Sequence, residues 1–146
     1  MPSGHRVAIV VDASIVIKWL VDEDDSPLAL ALRATQNTSA PDFVLIECRN
    51  VLLTKTRKKL LLPGDAMRAE NTIGGVGLEL LPSQRFLTEA FALALELGEP
   101  IYDCVYLAAA IATECKLVTA DARFAKTANR FAASKDRVAL LNSFIG

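Results

Sequence analysis

Apolar residues in this chain fall into short runs and helical stripes. Val7-Ala-Ile-Val-Val11 is a β-branched run with the character of a buried parallel strand. It ends at Asp12-Ala-Ser14, and a short helix is predicted over Ala13–Val21. The acidic stretch Asp22-Glu-Asp-Asp25 reads as a solvated loop. Ser26-Pro27 offers an N-cap and a first-turn proline for a helix to about Gln36. Asp42 is placed to cap a long helix to about Leu61. Pro63-Gly-Asp65 breaks the chain and starts a helix to about Ile73. Gly74-Gly-Val-Gly77 is a connector, and Leu78–Leu81 is a strand. Ser83 caps a helix to Leu97, which Gly98 stops. Tyr102–Cys115 is Ala-rich and apolar on every face, so it belongs at the centre of the fold. Lys116–Thr119 is a strand, Ala122–Ala128 a short helix and Arg137–Leu140 a last strand.

Strands alternating with helices indicate an α/β layer fold on a mostly parallel sheet. No repeat, low-complexity segment or domain boundary interrupts the pattern, so residues 1–146 read as a single domain. Sites in open parallel sheets form beyond the carboxyl ends of the strands. Asp12 and Asp121 both follow predicted strands, which puts them on one edge.

Composition narrows the function classes. A hydrophobic fraction of 52% with 23% charged residues argues for a packed core. The formal net charge of −1 excludes a global basic field for passive nucleic-acid binding, though not an enzyme with a local basic rim. Cys48, Cys104 and Cys115 lack CxxC spacing and read as core residues in a reducing compartment. No signal-peptide pattern and no membrane-length apolar stretch is present, so a soluble, cytoplasmic protein is expected. His5, in the N-terminal tail, is the sole histidine; this argues against a histidine-dependent triad or a histidine-ligated catalytic zinc.

Four carboxylates stand almost alone in apolar surroundings. Asp12 is the only charge between Arg6 and Lys18, and Asp103 the only one between Glu99 and Glu114. Glu47 shares a helical face with Val44, Cys48, Val51 and Leu52, and Asp121 follows Leu117-Val-Thr-Ala120. Each has a plainer role open to it. Asp12, Asp103 and Asp121 fit helix caps, and Glu47 fits a glutamate at the stripe edge with its head in water. Together they are hard oxygen donors without histidine or thiolate, the set that suits Mg²⁺ or Mn²⁺. Thr119 is placed to hydrogen-bond one of them.

These residues resemble the PIN-domain ribonucleases, in particular the VapC-type toxins of toxin–antitoxin modules. The segments that carry the resemblance are Val10-Val-Asp-Ala-Ser-Ile-Val-Ile-Lys-Trp19, Ala40-Pro-Asp-Phe-Val-Leu-Ile-Glu-Cys-Arg-Asn-Val51, Tyr102-Asp-Cys-Val-Tyr-Leu-Ala108 and Leu117-Val-Thr-Ala-Asp-Ala-Arg-Phe124. The resemblance implies a three-layer α/β/α sandwich. It implies a Mg²⁺- or Mn²⁺-dependent endoribonuclease, the toxin of a type II pair, acting on RNA. The acidic quartet carries over to Asp12, Glu47, Asp103 and Asp121 as catalytic and metal-holding residues, with Ser14 and Thr119 as small hydroxyls beside them. The implied partners are a cognate antitoxin with an arginine-bearing segment and a second copy in a homodimer.

Two alternatives stay open. One is a non-catalytic PIN-like module that binds a partner and keeps a structural acidic cluster. The other is a phosphotransfer or phosphatase domain, which wants a second acid where this chain has Ser14. Among the cations, Arg123 is the better candidate for a phosphate contact. Lys55, Arg57, Lys58 and Lys59 fit either a contact with RNA phosphates or a solvated helix end that complements the macrodipole, and the second reading is preferred. Trp19, Leu20 and Val21 fit either a partner groove or core packing.

A shared site makes an unusual stability prediction. Changing one of the four carboxylates to Asn or Ala abolishes activity and leaves the stability of the metal-free protein unchanged or raised. Melting scans read this directly; a large stability loss for all four variants would sink the shared site.

Overall fold

The computed structural model describes residues 6–144; His5 lies outside them. Five strands form one sheet: β1 (Ala8–Val11), β2 (Asn37–Pro41), β3 (Glu79–Leu81), β4 (Lys116–Thr119) and β5 (Val138–Leu140). Every pairing is parallel, and the order is β3-β2-β1-β4-β5. The first strand of the chain is therefore the middle strand of the sheet. Ile9, Val10 and Val11 are fully buried, as a strand covered on both faces requires.

Among the described residues there are seven α-helices: α1 (Ala13–Leu20), α2 (Ser26–Thr35), α3 (Val44–Arg57), α4 (Pro63–Thr72), α5 (Leu87–Leu97), α6 (Ile101–Ala112) and α7 (Ala122–Ala128). Helix α1 packs on β1 and β4 and gathers α2, α3 and α4 around it. Helix α6 packs across β1, β2 and β4 and pairs with α5. The result is the three-layer α/β/α arrangement. Residues Cys104–Ala110 of α6 are all buried, which agrees with its central placement.

Several expectations about the elements are corrected; Ser26, expected as an N-cap, is the first residue of α2, and Asp25 is its N-cap. The strand Asn37-Thr-Ser-Ala-Pro41 is not among the predicted ones, because it carries no apolar run. It exists because β1 and β3 pair with it on both sides, an instance of neighbours deciding strand formation. Asp42 does not cap a helix. Its carboxylate accepts from the backbone and hydroxyl of Ser83, and α3 starts at Val44 and ends at Arg57, short of Leu61. Ser83 in turn opens a 3-10 turn (Ser83–Phe86) rather than the α-helix itself. Gly98 ends α5 with φ +70°, the left-handed stop expected of it.

Trp19 is partly buried and packs against the core. Its indole Nε1 donates to Ala29 O at 2.8 Å, and Arg33 lies 5.9 Å over the ring. Cys48 and Cys104 are buried, while Cys115 is only partly so. Among the described residues no helix is long and apolar enough to cross a membrane.

The middle strand should dominate stability. Ile9→Ala is expected to cost about 2–5 kcal/mol through the cavity it leaves. Urea unfolding reads this as a lower midpoint at an unchanged slope.

Candidate functional site

Strands β1 and β4 end side by side, with Val11 in register with Val118. The next residue of one chain segment is Asp12, and the next of the other is Thr119. Asp12 occupies the N-cap position of α1, yet its side chain makes no capping bond. Instead, Ser14 Oγ donates to Asp12 Oδ1 at 2.5 Å and Thr119 Oγ1 donates to Asp12 Oδ2 at 2.5 Å. The backbone fixes both hydroxyls as donors. Ala120 N donates to Ser14 Oγ at 3.0 Å, and Asp121 N donates to Thr119 Oγ1 at 3.1 Å. A carboxylate without a capping role, aimed by two oriented hydroxyls, is a built feature.

Glu47 comes from the first turn of α3, on the face that buries Val44, Cys48 and Leu52. It does not reach away into water. The Tyr106 hydroxyl on α6 donates to Glu47 Oε1 at 2.5 Å, and the Phe43 ring packs 4.8 Å from the Tyr106 ring. Asp103 lies in the first turn of α6, two residues inside the helix, so it is not the N-cap; Pro100 is. Asp121 is a true cap: it accepts from Phe124 N at 3.0 Å at the start of α7. Capping uses one of its oxygens and still leaves it at the same edge.

The four carboxylates share one cleft of about 450 Å³, lined also by Ser14, Lys18, Glu23, Asn50, Lys55 and Tyr106. A second cleft of about 480 Å³ runs along α5 and α6, but its lining is largely alanine, Phe86, Leu93 and Ile111. Chemistry therefore singles out the first.

The electrostatics carry the signature of uncompensated acids. Burial pushes the Asp12 carboxyl up to about 6, Glu47 adds to the rise, and the Ser14 and Thr119 hydroxyls oppose it. Burial also raises Asp103 to about 6, joined by repulsion from Asp12, Asp121 and Glu99 and opposed by Arg123. Glu47 is raised by burial and by Asp103, against the Tyr106 hydrogen bond. Repulsion from a neighbouring acid thus adds to burial at Asp12, Glu47 and Asp103.

The donor set fits a hard divalent cation. The nearby thiols do not compete, since burial pushes Cys48 and Cys104 up to about 12. Among the described residues, no three His, Cys, Asp or Glu side chains form a ready-made tight cage. Mg²⁺ does not need one, because it keeps several waters and takes one or two carboxylates.

Several residues at the site went unread in the sequence. Tyr106 is one helical turn from Asp103, a spacing that points both side chains the same way. Lys18 and Lys55 also line the cleft, and Glu23 and Asp25 bind them rather than forming a solvated loop. Lys55 thereby departs from Arg57, Lys58 and Lys59, which are exposed at the helix end as expected. Arg123 does not line the cleft. Its guanidinium is gripped by both oxygens of Glu99, at 2.7 and 2.8 Å.

Comparison with known proteins bears on the fold and the family. The PIN domain family model matches residues 9–130. Ribonuclease VapC3 from Pyrobaculum aerophilum is 31% identical over 121 residues, covering 81% of this chain and 92% of that protein. Among solved structures, PAE2754 from Pyrobaculum aerophilum aligns with a TM-score of 0.69 at 19% identity, over 95% of this chain and 94% of its own. VapBC2 from Rickettsia felis, bound to a DNA fragment from its promoter, gives 0.61 at 15% identity, over 91% and 98%. VapBC-5 from Mycobacterium tuberculosis, a member of the VapBC family of toxin–antitoxin systems, gives 0.55 at 21% identity, over 91% and 96%. With its sheet order, its acidic cleft and a family match across most of its length, the chain belongs to the PIN-domain family, among the VapC-type proteins.

Proposed function

We propose that the chain is a Mg²⁺- or Mn²⁺-dependent endoribonuclease, the toxin of a type II toxin–antitoxin pair. The observation that carries this reading is the convergence of four carboxylates from four separate segments in one cleft. The relative named Ribonuclease VapC3 supports the reaction class, and the VapBC names support an antitoxin partner. In this reading the antitoxin covers the acidic cleft with an arginine-bearing segment, and the working unit is a homodimer.

Asp12, Glu47 and Asp103 would hold the cation, and Asp121 would complete the cluster. When bound, such an ion neutralises charge on the scissile phosphate and acidifies water. The protein's own residues set the geometry. Ser14 and Thr119 keep Asp12 from rotating, since each of its oxygens takes one hydroxyl. Tyr106 fixes Glu47 by one oxygen. Burial drives the phenol of Tyr106 far above its ordinary range, so it stays protonated and serves only as a donor. Asp103 has no protein hydrogen-bond donor among the described residues, which leaves both its oxygens for ligand.

Cleavage of single-stranded RNA should stop in excess chelator and return with Mg²⁺ or Mn²⁺. Undiminished cleavage in chelator would remove the proposed chemistry. Absence of cleavage with either metal would favour the non-catalytic module.

The pH dependence of stability follows from the acids. Asp12 and Asp103 have folded-state values near 6, above the ordinary carboxylate value of 3.8. Their stabilising protonation is complete below about pH 4 and is lost as pH rises through about 6. The Tm of the metal-free protein should therefore fall between pH 5 and pH 7.5, and Asp103→Asn should flatten the fall. Mg²⁺ should raise Tm more at pH 7.5 than at pH 5. Differential scanning calorimetry checks all three, and a Tm independent of pH would overturn the rise that burial and repulsion give these carboxyls.

A further inference from the structure

The acidic cleft has a cationic end. Lys18 lies one helical turn beyond Ser14 on α1. Lys55 lies two turns beyond Glu47 on α3, about 12 Å along the axis. Their side chains are only 12% and 24% exposed, low for lysine. Ammonium groups held this far from water need anions. Glu23 serves both: Lys18 Nζ donates to Glu23 Oε1 at 3.1 Å, and Lys55 Nζ donates to Glu23 Oε2 at 2.6 Å. Asp25 takes Lys18 as well, at 2.8 Å.

One anionic centre with two oxygens, each met by an ammonium group, is also what a phosphodiester presents through its non-bridging oxygens. A polyanion approaching four carboxylates needs compensation beyond a single cation, because its neighbouring phosphates meet the same repulsion. The other cations near the cleft do not provide it. Arg123 is bound by Glu99, and Arg57, Lys58 and Lys59 face solvent outside the lining. Asn50, one turn from Glu47, adds a neutral amide to the wall leading from the acids to Lys55.

We propose that Lys18 and Lys55 form a subsite for an RNA phosphate next to the scissile one, a place that Glu23 holds in the RNA-free protein. The inference rests on the ribonuclease reading above. Two cations and two anions, Glu23 and Asp25, sum to zero, so the subsite attracts phosphate only when Glu23 withdraws. Its backbone need not move. Glu23 N donates to Ser26 Oγ at 2.9 Å and Ser26 N donates to Glu23 O at 2.9 Å, which fixes the main chain and leaves the side chain to rotate. Lys18 keeps Asp25 on one of its N–H donors and turns another to the phosphate, while Lys55, released from Glu23, makes the stronger contact.

The test measures binding of a short single-stranded oligoribonucleotide by fluorescence anisotropy over a KCl series with Mg²⁺. It uses an Asp103→Asn background so that the RNA stays intact. Lys55→Gln should weaken binding about tenfold and reduce the slope of log K against log salt by about 0.7, one phosphate contact on a single strand. Lys55→Arg should restore the slope. Glu23→Gln should tighten binding, because it removes the competing anion. In the Asp103 parent, Lys55→Gln should raise KM for the oligomer more than it lowers kcat. An unchanged salt slope in Lys55→Gln overturns the subsite. So does weaker binding in Glu23→Gln with a matching fall in Tm, the result a purely structural ion cluster would give. Cleavage by the parent with an unchanged slope leaves the ribonuclease reading standing without the subsite. The expected slope change without any cleavage keeps the subsite as an RNA contact and fails the reading. RNA that does not bind at all removes both.

Discussion

The Asp12 carboxylate must be held at the end of the middle strand without a cation from the chain. That constraint organises the whole carboxyl edge of the sheet. Two hydroxyls answer it, one from the first turn of α1 and one from the last residue of β4. Ser14 reaches Asp12 locally, but Thr119 reaches it only when β1 and β4 pair in their observed register. A one-residue slip would point Thr119 to the other face. Sheet register, helix entry and the aim of the acid are therefore one property.

The same edge shows why the acids are spread over the chain. Each arrives on a different support: the β1–α1 turn, α3, the first turn of α6 and the β4–α7 turn. No local segment brings two of them together, so the cleft exists only in the complete fold. Burial then works against them, raising Asp12, Glu47 and Asp103 above the ordinary carboxylate range. Stability given up at such a cluster is recovered when a proton or a cationic ligand neutralises the acids.

The parts legible in the sequence were those with local causes. Lys116–Thr119 and Ala122–Ala128 match the observed bounds, and Gly98 stops α5, because apolar runs and a left-handed glycine act within a few residues. Strand β2 was hidden because Asn37, Thr38 and Ser39 become a strand only between two neighbours. Asp12, Glu47, Asp103 and Asp121 were visible as lone charges in apolar context. Their supports were not: Tyr106 reaches Glu47 across 59 residues, and Lys55 reaches Glu23 across 32. Charge runs mislead for the same reason. Glu23 and Asp25 sit in an acidic stretch that looks solvated until the lysines of two other helices are placed beside it.

The two margins of the sheet, β3 and β5, are each only three residues long. An edge that short offers little ladder for another strand to extend, which is one way folded proteins avoid open-ended sheet growth. The exposed apolar side chains Phe91 and Leu95 on α5, Leu53 on α3 and Met67 on α4 stand on the helical flanks instead, away from these edges.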